Sequence, residues 1–196
     1  MKKNSLFTYV IAMIAFFMMA SCGNGGSKPS EESSDTEISS NSSKLSDEEL
    51  RHLIYKDDFR KACELKEYLT AYKIVDKFND EASRFKANME KYRALAERDK
   101  GWTNYYSEAK ARYEESLKKY IDTKKYVVLQ ESLFVLESEG VNGLMRIVGI
   151  AKEHDSEDWL YTELLDVAKK IGDSDLTERL QNMINLESSK DQKVKK

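Results

Sequence analysis

Beyond Pro29 the chain contains no proline, and only five glycines follow Lys44: Gly101, Gly140, Gly143, Gly149 and Gly172. Proline and glycine are the residues that stop helices and open turns, so a long stretch with so few of them predicts helices throughout. The first apolar residues of that stretch agree. In Leu45-Ser46-Asp47-Glu48-Glu49-Leu50, Ser46 and Glu49 have the spacing of a capping box, and Leu45 and Leu50 that of a hydrophobic staple. A helix therefore starts here. Apolar residues return at helical spacing through Leu50, Leu53, Ile54, Phe59, Ala62, Leu65, Leu69, Tyr72 and Val75.

From Phe78 the spacing tightens to a strict alternation of four and three residues: Phe78, Ala82, Phe85, Met89, Tyr92, Ala96. Asp99-Lys100-Gly101 is the natural stop. Beyond it Tyr106, Tyr113, Tyr120, Val127 and Phe134 fall seven apart, with Trp102 and Ala109 on the same side. Two heptad stripes around a short glycine turn predict an antiparallel hairpin, some 50 Å long for about 35 residues per helix. The second helix is expected from about Thr103 to Glu139, with Gly140 just past its end. Its later part, YVVLQESLFVLESEG, is apolar around much of its circumference and should sit between neighbours.

Three further segments follow. One runs from Leu144 to about His154. The next is capped by Asp155 or Ser156, carries Trp159, Leu160, Leu164, Val167, Ala168 and Ile171, and ends at Gly172. The last is capped by Asp173 or Ser174. A shift of 32 residues aligns Leu133 with Leu165, Val135 with Val167, Gly140 with Gly172, Leu144 with Leu176 and Val148 with Leu180, a weak internal repeat. Together with Phe59-Arg60-Lys61-Ala62 and Tyr68-Leu69-Thr70-Ala71, this body loosely resembles tetratricopeptide-type helical hairpins over residues 57 to 187. The fold class expected is all-α: antiparallel helical hairpins, either a tetratricopeptide-like repeat or an irregular bundle, with one long hairpin. The resemblance implies paired, stacked helices and carries over no binding residues, because the Trp-Leu-Gly-Tyr series and closing prolines of that family do not occur here.

The amino-terminal region reads differently. Met1-Lys2-Lys3-Asn4 is positive, and fourteen of the fifteen residues from Leu6 to Ala20 are apolar, the layout of a secretion signal. Fifteen helical residues reach only about 22 Å, short of a hydrocarbon core of about 30 Å. Met19-Ala20-Ser21-Cys22 resembles the lipobox of bacterial lipoproteins, with Met in place of the more usual Leu. That resemblance implies removal of residues 1–21, a diacylglyceryl group on the Cys22 sulfur and acylation of the new amino terminus. No cofactor other than this covalent lipid is expected. By analogy with proteobacterial sorting, Gly23 points to the outer membrane over the inner. Residues 22–44 read as a flexible tether, since from Gly23 to Lys44 there are eight serines and a single apolar side chain, Ile38. Residues 45–188 form the helical domain, and 189–196, with Lys190, Lys193, Lys195 and Lys196, a disordered basic tail.

Without residues 1–21 the chain has 30 basic and 35 acidic side chains, a net charge of −5, and its body shows no basic cluster along the sequence. Nucleic acid is therefore not an expected partner. Cys63 reads as a buried, inert thiol with no second cysteine to pair with after Cys22 is acylated. His52 and His154 fit no paired-ligand spacing, and Glu153-His154-Asp155 reads as solvated charge. No GxSxG, SxxK or glycine-rich phosphate loop is present, so no catalytic residue is expected.

The tyrosines are the unusual feature. Tyr105, Tyr106, Tyr113, Tyr120 and Tyr126 crowd one helix. A stripe at helical spacing suits a packed core, and rings with a polar tip also suit a partly wet binding face. Tyr105, Tyr106, Tyr113 and Tyr120 are thus the candidate partner surface, with Tyr105 facing outward. Glu114-Lys118 and Glu115-Lys119 have the spacing of i,i+4 pairs. The function expected is a lipid-anchored envelope protein binding a protein or peptide. The alternatives are a spacer that self-associates into a homo-oligomer, and a small-ligand carrier.

Overall fold

The computed structural model describes residues 45–194, with side chains through Leu186. The fold is all-α. Seven α-helices are found among the described residues: α1 Asp47–Tyr55, α2 Phe59–Glu64, α3 Tyr68–Arg98, α4 Thr103–Glu139, α5 Leu144–Glu153, α6 Glu157–Ile171 and α7 Ser174–Val194. Short 3-10 turns, Lys100–Trp102 and Gly140–Gly143, precede α4 and α5. The last helix continues to Val194, past the boundary expected at 188, so most of the proposed basic tail belongs to a helix.

Capping chemistry sets several of these limits. Ser46 and Glu49 exchange both bonds of the capping box: the Glu49 carboxylate accepts from the Ser46 amide at 2.8 Å, and the Ser46 hydroxyl accepts from the Glu49 amide. Asp58 Oδ1 accepts from the Lys61 amide at the start of α2, and Asp173 Oδ1 from the Leu176 amide at the start of α7. Gly172 closes α6 in the left-handed conformation, with φ 73°. Ser156 stands at the cap position of α6, but its hydroxyl is buried and donates to the His154 carbonyl instead.

The apolar run from Leu50 to Val75 is broken twice, where the sequence shows neither glycine nor proline. Asp57 (φ 56°) and Lys66 (φ 63°) adopt positive φ, the first turning the chain between α1 and α2 and the second between α2 and α3. Such a conformation costs about 1 kcal/mol or more for a residue with a Cβ. Here each closes the helix before it as a Schellman turn: the Asp57 and Asp58 amides donate to the Ile54 and Leu53 carbonyls, and the Lys66 and Glu67 amides to the Cys63 and Ala62 carbonyls. The Asp57 side chain also pairs with Lys77 on α3, and Lys66 lies over the Phe134 ring on α4, 4.3 Å from its centroid.

Helices α3 and α4 form the long antiparallel hairpin. Tyr68 stacks near Phe134 and donates to the Gln130 carbonyl, Glu81 meets Lys119, and Tyr92 meets Tyr105. Positions thus fall along α4 as they rise along α3. At the open end the hairpin is embedded in two apolar clusters. The larger joins Val128, Leu129, Leu133, Val135 and Leu136 of α4 to Ile147 and Ile150 of α5, Leu160, Leu164 and Val167 of α6, and Leu176 and Leu180 of α7. The smaller gathers Leu53, Ala62, Cys63, Ala71, Val75 and Val127, with Leu45 against it. The domain from Leu45 onward therefore carries its own core. Each fully buried aliphatic side chain contributes about 1.5–3 kcal/mol.

The 32-residue repeat is visible in the burial pattern. Val128, Leu129, Ser132, Leu133, Val135 and Leu136 are buried on α4, and Leu160, Tyr161, Leu164, Leu165, Val167 and Ala168 are buried at the equivalent places on α6. Each helix then ends at a glycine of positive φ, Gly140 or Gly172. The return helices differ, since α5 is entered through a 3-10 turn and α7 directly from an Asp cap.

Candidate functional site

Beyond Asp76 on α3 and before Tyr120 on α4, no described residue belongs to either apolar cluster. The hairpin continues as a two-helix arm, about 35 Å long from Asp76 to Arg98 at about 1.5 Å per residue. Its seam is made of Phe78 and Ala82 from α3 and Ala109, Ser116 and Thr123 from α4, all buried. The three α4 residues are seven apart, which keeps one line of small side chains against α3. Ser116 satisfies its hydroxyl locally by donating to the Tyr113 carbonyl at 2.9 Å.

This register corrects the expected stripe. Val127 is fully buried, but Tyr106, Tyr113, Tyr120 and Phe134 are only half-buried, and the small residues occupy the centre of the seam. The tyrosines stand along its flank, each ring partly packed and partly wet. Tyr105 does face outward, 55% exposed. The ion pairs differ as well: Glu114 pairs with Lys110 at 3.7 Å, and Lys119 crosses to Glu81 at 3.9 Å while lying over the Phe78 ring.

At the tip the turn is built by Asp99, whose Oδ1 accepts from the Gly101 amide at 2.9 Å, and by Thr103, whose hydroxyl donates to the Lys100 carbonyl at 2.8 Å. A Cβ at position 101 would lie 3.3 Å from that Asp99 oxygen, so glycine lets the carboxylate fold over the turn. The turn brings together three aromatic rings. Tyr92 stacks with Trp102 (centroids 6.2 Å apart) and with Tyr105 (6.0 Å), and Trp102 and Tyr105 are 5.4 Å apart. The Lys91 ammonium sits over Tyr92 at 5.9 Å. Behind them a shallow cleft of about 180 Å³ is lined by Phe85, Asn88, Tyr92, Tyr105, Glu108 and Arg112. Sequence spacing within α4 could not reveal this cluster because Tyr92 comes from α3. The available signal was the Asp99-Lys100-Gly101 turn, since residues roughly equidistant from a hairpin turn face one another.

A second polar cluster lies at the base. The Tyr72 ring stacks on His154 (4.1 Å, 11° between planes), and its hydroxyl donates to Glu131 Oε2 at 2.7 Å. His154 is therefore not the solvated residue expected. Burial lowers its pKa, partly opposed by the charges of Glu153 and Glu131. Burial also raises the Tyr72 phenol, reinforced by its bond to Glu131. Cys63 is 6% exposed, and its thiol is pushed up to about 12 by burial and then by Glu131 and Glu64, so it is protonated at neutral pH and a poor nucleophile. These groups bind α3, α4 and the α5–α6 turn together. Among the described residues no group of His, Cys, Asp and Glu has the geometry to hold a metal ion, and no helix is long and apolar enough to cross a membrane.

Cys22, the candidate lipid attachment site, the leader 1–21 and the whole of the tether 22–44 lie outside the described residues. Comparisons of the chain with protein-family models, curated proteins and solved structures found no significant match.

Proposed function

We propose that this is a bacterial envelope lipoprotein, anchored through acylated Cys22, whose helical domain binds a protein or peptide partner along the arm. The observation that carries the partner reading is the line of half-buried Tyr106 and Tyr113 on a two-helix shaft that shares neither apolar cluster, continued by Tyr120 where the shaft meets the smaller one. Tyrosine combines a large apolar ring with a hydrogen-bonding tip and loses little conformational entropy on binding, which suits it to such a face. The lipid reading is supported by the order of positive start, apolar run, small residues and cysteine. Two or more acyl chains give durable membrane attachment.

A photo-crosslinking residue in place of Tyr113 in the native cell should give one discrete adduct, and the same residue at exposed Thr162 on α6 should give none. Equal adducts at both positions, or none at Tyr113, would remove the partner face from the arm. If the adduct is the chain itself, the self-associating spacer replaces the partner reading. Mass spectrometry of the purified native protein tests the anchor separately: the mature chain should begin at Cys22 and carry diacylglyceryl on its sulfur.

A further inference from the structure

The tip of the arm differs in charge from the rest of the molecule. Residues 82–112 hold eight Lys or Arg and four Asp or Glu, a net +4 within a chain of formal charge −3. No basic cluster was evident from runs in the sequence because these cations are spread over two helices that the turn folds together. All eight are exposed. The acids among them are largely occupied: Arg93 pairs with Glu90 at 2.9 Å and with Glu97 at 3.8 Å, and Asp99 accepts from the Gly101 amide. Lys91, Arg98 and Lys100 make no ion pair among the described residues.

The large apolar side chains exposed at the tip are both aromatic. Trp102 and Tyr105 are 37% and 55% exposed, whereas the exposed large aliphatic side chains, Leu65, Leu69, Ile121, Met145 and Leu186, all lie elsewhere. Amphipathic aromatic rings bordered by Lys and Arg are the composition that settles at the headgroup level of a bilayer, and the cations are drawn to anionic lipid. The surface is also convex, a helix–turn–helix end, which meets a soft plane without needing a complementary pocket.

We infer that the arm tip, through Trp102 and Tyr105 with Lys91, Arg98 and Lys100, docks on the headgroups of an anionic bilayer. This is a membrane contact additional to the acyl anchor, and it rests on the anchoring reading only in that an anchored chain has a bilayer within reach. Residues 22–44 can span at most about 75 Å at about 3.3 Å per residue, more than the length of the arm, so the tip can return to the membrane that holds Cys22. The arm would then lie along the bilayer, with its tyrosine flank held close to it.

The test uses the domain from Leu45 onward, which lacks any acyl group and so separates this contact from the anchor. Trp159→Phe leaves Trp102 as the sole tryptophan reporter. Vesicles of phosphatidylcholine containing about 30% phosphatidylglycerol should sediment the protein and shift Trp102 emission to the blue, and pure phosphatidylcholine should do neither. Binding should weaken at least tenfold in about 0.5 M salt, where the screening length falls to about 4 Å. The triple variant Lys91→Glu, Arg98→Glu, Lys100→Glu should lose it at unchanged helicity, and Trp102→Ser with Tyr105→Ser should weaken it by a similar factor. The proposal is overturned if anionic vesicles fail to bind, if the charge-reversed variant binds as well as the parent, or if vesicles sediment the protein while Trp102 emission stays fixed. A tip that ignores vesicles yet crosslinks to an acidic protein would also overturn it, and would transfer the tip to the partner face. None of these outcomes bears on whether Cys22 is acylated.

Discussion

The same pair of helices passes through two environments. Near Val127 and Val135, α4 is covered on several sides by α2, α3, α5 and α6, and its aliphatic side chains are fully buried. Twenty residues earlier, around Tyr106 and Tyr113, it is covered on one side, by α3, with Ala109 and Ser116 buried at the seam and the tyrosine rings half-buried beside them. Helical periodicity is continuous across both, so it does not decide what the helix is for. The difference lies in the size of the seam residues. Large aliphatics at the base bring many neighbours inside one core, and in the arm the small α4 residues Ala109, Ser116 and Thr123 let α4 close on Phe78 and Ala82 of α3 with nothing beyond.

This contrast can be tested by where substitutions are felt. The largest effect should come from Leu164→Ala, which opens a cavity in the fully buried base and should cost about 3 kcal/mol in urea unfolding. Gly143→Ala comes next. A Cβ there would meet Val135 Cγ1 at 2.6 Å, between α4 and the turn into α5, and overpacking of this kind should cost about 2 kcal/mol. Tyr113→Ala on the arm should cost about 1 kcal/mol or less, because the half-buried ring loses only part of its contact area. Its effect on amide exchange should stay within the arm, whose amides should also exchange faster than those of α6 in the parent protein. A Tyr113→Ala penalty equal to that of Leu164→Ala would mean that the arm shares the base's core after all.

A titration sharpens the comparison further. Burial against Tyr72 depresses the folded pKa of His154 below its ordinary 6.5, so below that pH the unfolded chain binds more protons than the folded one. Stability should therefore fall as the pH drops through about 6.5 and stop falling from this source below the folded pKa. His154→Phe keeps a ring against Tyr72 and should flatten that part of the profile, measured as the difference in urea midpoint between pH 7 and pH 5. Protection lost on acidification should appear at the α5–α6 turn and α3, not at the arm tip. The smallest effect belongs to exposed pairs of the shaft: Glu114→Gln removes the Lys110 pair and should change stability by less than about 0.5 kcal/mol.

Much of this architecture was legible because local chemistry and tertiary structure agree. Ser46 and Glu49 make the capping box that their spacing announces, α4 begins at Thr103 and ends at Glu139, and Gly172 closes α6. The breaks at Asp57 and Lys66 were not legible. Their positive φ belongs to Schellman turns, the geometry that Gly172 marks at the end of α6, but here it falls on an Asp and a Lys, residue types that do not announce such a turn. The burial of His154 was not legible either, since the ring that covers it comes from α3, far along the chain. In the candidate site, Tyr105 was correctly read as outward, while the register of Tyr106, Tyr113 and Tyr120 was displaced. Periodicity ranks residues by hydrophobicity, and in a two-helix seam the smallest side chains take the centre while larger rings move to the edge.

The seven-residue rhythm of Ala109, Ser116 and Thr123 has a consequence for how such a molecule can vary. Since the arm shares no cluster residue with the base, one heptad added to α3 and one to α4 would restore the facing and extend the reach by about 10 Å. A shorter insertion would rotate the tip rings around the shaft. The protrusion thus behaves as a ruler graduated in whole heptads, its length adjustable independently of the foundation that supports it.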